Sequence, residues 1–286
     1  MRIGTSHGTY AYAGEMEAIY ARMRAHGYTA ADHNLCDTNE PWYSDMAELD
    51  RYCDRVRKAA EANDMCISQI HGPWPTDDTT PENRVQIREW MRRAVYACGR
   101  MGSRHMVIHP VMPYGWGKEE DAAFAEALTV ELLSYLIPEC EKDGVIVCLE
   151  NMPMAAHRIS RMPMIVRAVE KVNSPYVGIC LDTGHCNVFG DDLGEMVRVS
   201  AKYLRVLHVH DNNGQSDQHL VPFCGTANWK SFTDALREIR FPGVLSLESN
   251  GPSFDLPLPI RESMEHHIVN IARYLAEDVY KRQGMW

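Results

Sequence analysis

Short apolar runs rich in β-branched residues recur eight times along the chain, each separated from the next by a longer stretch. They are RIGTS from Arg2, YTAADH from Tyr28, CISQIH ending at His71 and HMVIHP ending at Pro110. They continue with VIVCLEN ending at Asn151, YVGICLD ending at Asp182, LRVLHVHD ending at Asp211 and VLSLES ending at Ser249. Between them, apolar residues recur at spacings of three and four, as one buried helix face requires. Ile87, Met91, Ala94, Cys98 and Met101 form one such series; Phe232, Leu236 and Ile239 form another, and Met264, Ile268, Ile271 and Leu275 a third. Strands alternating with helices imply βα units and a parallel sheet. Eight units in 286 residues suffice to close that sheet into a single α/β (β/α)8 TIM barrel. An open doubly wound sheet is the alternative, but no glycine-rich phosphate fingerprint follows the first strand. With no linker, repeat or low-complexity segment, residues 1–279 are expected to be one domain, with 280–286 a frayed or appended tail.

Composition narrows the class. The chain is 45% hydrophobic and 24% charged, an ordinary globular balance. It holds no run of 18 or more apolar residues, so no membrane span is expected. The opening MRIGTSHGTY lacks the charged, apolar and small-residue layout of a signal peptide, and the nine cysteines are odd in number without paired spacing. Reduced thiols and a cytoplasmic location are the expectation. The net charge of -10 argues against a nucleic acid as the principal partner. A homo-oligomer stays open beside a monomer.

In a (β/α)8 barrel the active site is built at the C-terminal ends of the strands. From the third strand on, those ends read His71, His109, Glu150, Asp182 with His185, His208 with His210 and Asp211, and Glu248. A single His or Asp at a strand end is ordinarily a hydrogen-bonded loop residue or a helix cap. Six ends in succession are different, because closure aims them at one axis. Carboxylates and imidazoles that converge without matching Lys or Arg repel and desolvate one another, and a bound divalent metal neutralises them. The loop after the seventh strand adds Asp217 and His219, whose D-x-H spacing lets both side chains face one way in an extended segment.

HGP at His71, IHP at His109, LEN at Glu150, LDTGH at Asp182, HVHDN at His208, DQH at Asp217 and LES at Glu248 resemble the xylose-isomerase-like TIM-barrel superfamily. That superfamily includes sugar isomerases and epimerases, inosose dehydratases and endonuclease IV. Its epimerase branch implies one divalent ion on Glu150, Asp182, His208 and Glu248, manganese first, with cobalt, magnesium or zinc as alternatives. Its endonuclease IV branch implies three zinc ions on His71, His109, Glu150, Asp182, His185, His208, Asp217, His219 and Glu248. Ketose 3-epimerases carry an Arg where this chain has His219, a departure from their mode of substrate binding.

The shared ligand set leaves the rim to choose between the branches. A mouth for DNA needs Lys and Arg for phosphates and a wedge for the opened duplex. Here the loop after the second strand, NLCDTNEPWYSD, has no basic residue, and VMPYGWGKEED after the fourth has one Lys against three acids. Trp42, Tyr43, Trp74, Tyr114 and Trp116 fall near the expected mouth, where aromatic faces suit sugar rings. The expected partner is therefore an unphosphorylated sugar or polyol, and the expected reaction is proton abstraction next to a carbonyl through an enediolate that a fixed cation stabilises. Glu150 and Glu248 are the expected bases, with His185 as donor or proton shuttle. His71, His109, His185, Asp217, His219 and Trp74 are expected to bind substrate. A leaving group beside the enediolate turns the same site into a dehydratase or other β-eliminating lyase.

Overall fold

The computed structural model describes residues 1–76, 80–112, 121–249 and 256–280. Its strands are β1 (Ile3–Ser6), β2 (Ala30–Asn34), β3 (Cys66–His71), β4 (His105–Ile108), β5 (Ile146–Glu150), β6 (Val177–Asp182), β7 (Leu204–His208) and β8 (Leu245–Leu247). Among the described residues all pairings between these strands are parallel, in the order β7-β6-β5-β4-β3-β2-β1-β8. A parallel bridge between Val209 and Leu247 brings the two outer strands together. The result is a nearly closed (β/α)8 barrel, with every strand where an apolar run lies in the sequence.

The helices are α1 (Met16–His26), α2 (Met46–Ala62), α3 (Pro81–Arg100), α4 (Ala122–Asp143), α5 (Met162–Val172), α6 (Thr183–Val188), α7 (Leu193–Ser200), α8 (Trp229–Glu238) and α9 (Leu258–Tyr280). Their starts follow from local chemistry. Asp45, Thr80, Asp121, Asp192 and Asn228 each accept hydrogen bonds from first-turn N–H groups that a helix leaves without partners. Gly144 ends α4 with φ at 69°, a left-handed turn that glycine adopts without steric cost. Ile87, Met91, Ala94 and Cys98 are buried along one face of α3, as their spacing requires. The tail at 281–286 lies outside the described residues.

β6 is followed by two helices, not one. The extra helix, α6, begins inside LDTGH. Asp182 Oδ1 accepts the N–H of His185 at 2.7 Å, so the acid that ends the strand also caps the helix.

Two apolar clusters divide the interior. The larger fills the space between strands and helices and includes Leu149, Leu181 and Leu207. The smaller is Val107, Cys148, Cys180 and Val206. Those four stand two residues before His109, Glu150, Asp182 and His208, and side chains two apart in a strand share a face. The barrel lumen thus has a dry plug directly beneath its polar mouth, which strengthens every charge interaction above it.

Candidate metal and substrate site

The strand ends place Glu150 at the centre of the mouth, almost fully buried. Its Oε1 meets His208 Nδ1 at 2.7 Å. His109 Nε2 and His71 Nε2 stand 3.2 and 3.7 Å from Oε2, yet that oxygen has no hydrogen-bond partner among the described residues. Glu248 Oε2 approaches the same His208 nitrogen at 3.4 Å. One ligand atom from each of Glu150, Asp182, His208 and Glu248 lies within 4.8 Å of the others. The same closeness holds for His71, Glu150 and His208, and for His185, His210, Asp217 and His219.

The LDTGH motif divides into four tasks. Asp182 faces His210, with Oδ2 at 2.9 Å from Nε2. Thr183 Oγ1 donates to the carbonyl of His210 and accepts from its N–H. A side chain at Gly184 would overlap the His210 imidazole, so only glycine admits that ring. His185 donates from Nδ1 to the carbonyl of Asn151 at 2.7 Å, leaving Nε2 3.3 Å from Asp217 Oδ2.

His219 repeats the arrangement. Its Nδ1 donates to the carbonyl of Glu248 at 2.9 Å, and its Nε2 stands 3.1 Å from the same Asp217 oxygen. The residue is held at φ 48°, a left-handed conformation that costs a non-glycine residue roughly 1–3 kcal/mol and concentrates at functional positions. A ring that donates from Nδ1 presents a lone pair at Nε2, and here two such nitrogens face one carboxylate oxygen. A cation or added protons must stand between them.

The loop carrying Asp217 and His219 hangs on Asp211. That fully buried carboxylate accepts from the N–H groups of Asn212, Phe223, Gly225 and Ala227 and from the Trp229 indole. Asp211→Ala strands these donors, and we expect it to lower stability by about 3 kcal/mol or more, read from chemical denaturation midpoints.

Electrostatics follow the same geometry. Burial opposes the charge on Glu150, but His208 and His109 overcome it and hold the carboxyl well below its usual range. Burial also opposes charge on His71, His185 and His219. Cys36 and Glu150 nevertheless push His71 up to about 10. Asp182 and Asp217 push His185 up to about 10, and Asp217 and Glu248 push His219 up to about 9. An unfolded chain holds these imidazoles near pH ~6.5. Protonation of His71, His185 and His219 therefore stabilises the metal-free protein fully below about pH 6.5, and the gain is lost as pH rises through about 9 to 10. Denaturation midpoints in chelator should fall over that window, and saturation with a divalent ion, which displaces the protons, should flatten the fall.

The donor set suits a divalent metal. Among the described residues, the ion-pair partners of Glu150, Asp182, Asp217 and Glu248 are all histidines. Glu150 also keeps a buried oxygen without a hydrogen-bond partner among them.

The structure gathers all the sequence-derived candidates: His71, His109, Glu150, Asp182, His185, His208, Asp217, His219 and Glu248 form one connected cluster. Trp74 meets His109 edge-on, with ring centroids 4.4 Å apart. Other aromatics differ from expectation. Tyr43 is buried with its hydroxyl on the carbonyl of Leu35, and Trp42 stacks on Tyr52 at 4.1 Å, so both serve packing. Tyr114 and Trp116 lie outside the described residues. Asn151 pairs with the backbone of Asp182 through both side-chain atoms and so holds the end of β6.

One site neighbour escapes a reading of strand ends from the third onward: Asp32, in β2, meets His208 Nε2. His210, read with His208 at the end of the seventh strand, joins the Asp217 group. For Asp32 the ADH at 31–33 was the available signal.

A parallel eight-stranded barrel with a buried histidine–carboxylate cluster at its mouth defines a TIM barrel that can hold a metal ion. The model of the family described as xylose isomerase-like TIM barrel matches residues 20–268, and the chain belongs to that family. An uncharacterized protein, MJ1311, of Methanocaldococcus jannaschii is 28% identical over 187 residues, 63% of each chain. A probable endonuclease 4 of Mycoplasma mobile is 22% identical over 163 residues, 52% of this chain and 56% of that protein. The chain spans only about six tenths of the length of such curated relatives. Among solved structures, D-psicose 3-epimerase of Clostridium cellulolyticum H10 with D-tagatose superposes with a TM-score of 0.79 at 17% identity, covering 96% of this chain and 99% of that one. The IOLI protein with a bound zinc atom gives 0.77 at 17% identity, covering 98% of each. These likenesses show the fold. No helix among the described residues is long and apolar enough to cross a membrane, and all nine cysteines are free.

Proposed function

We propose that this chain is a divalent-metal-dependent isomerase or epimerase that moves a proton next to the carbonyl of an unphosphorylated ketose or keto-polyol. One observation carries the reading: the carboxylates of Glu150 and Glu248 both approach His208 Nδ1, at 2.7 and 3.4 Å. Two carboxylates at one cation position provide one group to remove a proton and another to return it. An ion held by Glu150, Asp182, His208 and Glu248, manganese first, would supply the Lewis acidity that stabilises an enediolate. Glu248, at 21% side-chain exposure against 1% for Glu150, is the base more open to substrate. His185, Asp217 and His219 orient hydroxyls on one flank, and His71, His109 and Trp74 line the other. The epimerases among the structural relatives support this class, and the free cysteines support a cytoplasmic site of action. A substrate with a leaving group beside the enediolate makes the same residues a lyase.

A second reading has its own support. His185, His210, Asp217 and His219 make a further group of cation donors, which favours several ions and a phosphodiesterase like the endonuclease 4 relatives. The acidic loop after β2 opposes it, since Asp37, Glu40 and Asp45 would meet DNA phosphates.

One paired experiment separates the two. With manganese in deuterated water, ketoses or keto-polyols should gain deuterium beside the carbonyl, while abasic duplex binds weakly and without steep salt dependence. A tight duplex complex that loosens sharply between low and physiological salt, with no deuterium gained, would overturn the sugar reading.

A further inference from the structure

We infer that Asp32 is a positioning residue for this site: it fixes the ring of His208 so that Nδ1 faces the ion position shared with Glu150 and Glu248. The inference rests on the proposed metal site and adds a residue to its support. His208 lies between two carboxylates, with Glu150 Oε1 at Nδ1 and Asp32 Oδ2 at Nε2, 2.7 and 2.9 Å away. A ring that donates Nε2–H to Asp32 keeps its lone pair on Nδ1. A carboxylate acceptor behind a ligating imidazole holds its orientation and raises its basicity.

Asp32 is itself held in place. Gln69 Nε2 donates to the same Oδ2 at 2.9 Å and also reaches the carbonyl of Leu207, the residue before His208, at 3.3 Å. All three side chains are buried. A register shift aligns them: Ala31 pairs with Ile67 but Asp32 with Gln69, so Ser68 is passed over and Gln69 turns toward Asp32. Asp32 Oδ1 meanwhile is buried without a hydrogen-bond partner among the described residues. Packing alone gives no reason to keep a half-satisfied carboxylate in the lumen, since a neutral side chain would cost less there. Orientation of His208 does give one.

The test uses the full chain stripped of metal and titrated with manganese(II), comparing wild type, Asp32→Asn and Asp32→Ala. Asp32→Ala should weaken manganese binding by about 10- to 100-fold, and Asp32→Asn by less, because its amide oxygen still accepts Nε2–H. Nitrogen NMR of His208 in the zinc-loaded proteins should show Nε2–H in wild type and Asp32→Asn. In Asp32→Ala a second form is expected beside it, with the ring flipped, zinc on Nε2 and the proton on Nδ1. Equal affinities and the same ring form in all three would overturn the inference while leaving the metal site standing. Should Asp32→Ala not fold, an Asp32→Asn protein with unchanged affinity and no preferred ring form overturns it equally. A wild type that binds no manganese refutes the metal site itself.

Discussion

Glu248→Gln should leave the barrel folded and slow exchange of the substrate's α-proton with solvent by about 100-fold or more, the usual scale for losing a general base. The residue follows β8 at the mouth, with its side chain partly exposed, so the amide disturbs little packing. Glutamine retains a carbonyl oxygen for the cation but cannot accept the proton. Glu150→Gln should act in the same direction with a larger structural component, because Glu150 faces His71, His109 and His208 together. Deuterium incorporation followed by NMR measures the exchange, and metal content must be determined on the same samples. Near-normal exchange in both variants with metal bound would falsify the assignment of the two glutamates.

Exhaustive chelation should abolish turnover and destabilise the protein, and a divalent ion should reverse both. Without metal, the cluster relies on protonated imidazoles to offset its carboxylates. An ion takes their place and binds only the folded arrangement, adding about 4 kcal/mol of stability at a free concentration 1,000 times its dissociation constant. Thermal midpoints with and without chelator measure the change. Metal content after gel filtration separates the two functional readings. One equivalent fits an ion with open coordination positions for a sugar's oxygens; two or three equivalents fit the additional His185, His210, Asp217 and His219 group. Turnover that survives complete metal removal would eliminate both metal-dependent readings.

Alternation of apolar runs with helical periodicity was enough to determine eight strands, their parallel arrangement and a barrel. The side chain ending each strand from β3 onward could then be placed at a common mouth, because the active end of such a barrel is set by chain direction alone. Tertiary structure decided which residues support the cluster. Nothing local joins Asp32 to His208 or His210 to Asp217; curvature of the closed sheet does. It also decided which way two strands face. Ile67 and Ile70 both belong to the outer core, as do Leu204 and Leu207, although strict alternation would put residues three apart on opposite faces. Register shifts between Ala31 and Asp32, and between Ile179 and Cys180, pass over Ser68 and Arg205 and reverse the phase of β3 and β7. Gln69, His71, Val206 and His208 thereby turn into the lumen. A bulge arises where neighbouring strands must keep their pairing around a closed curve, and that demand exists only once the barrel has formed.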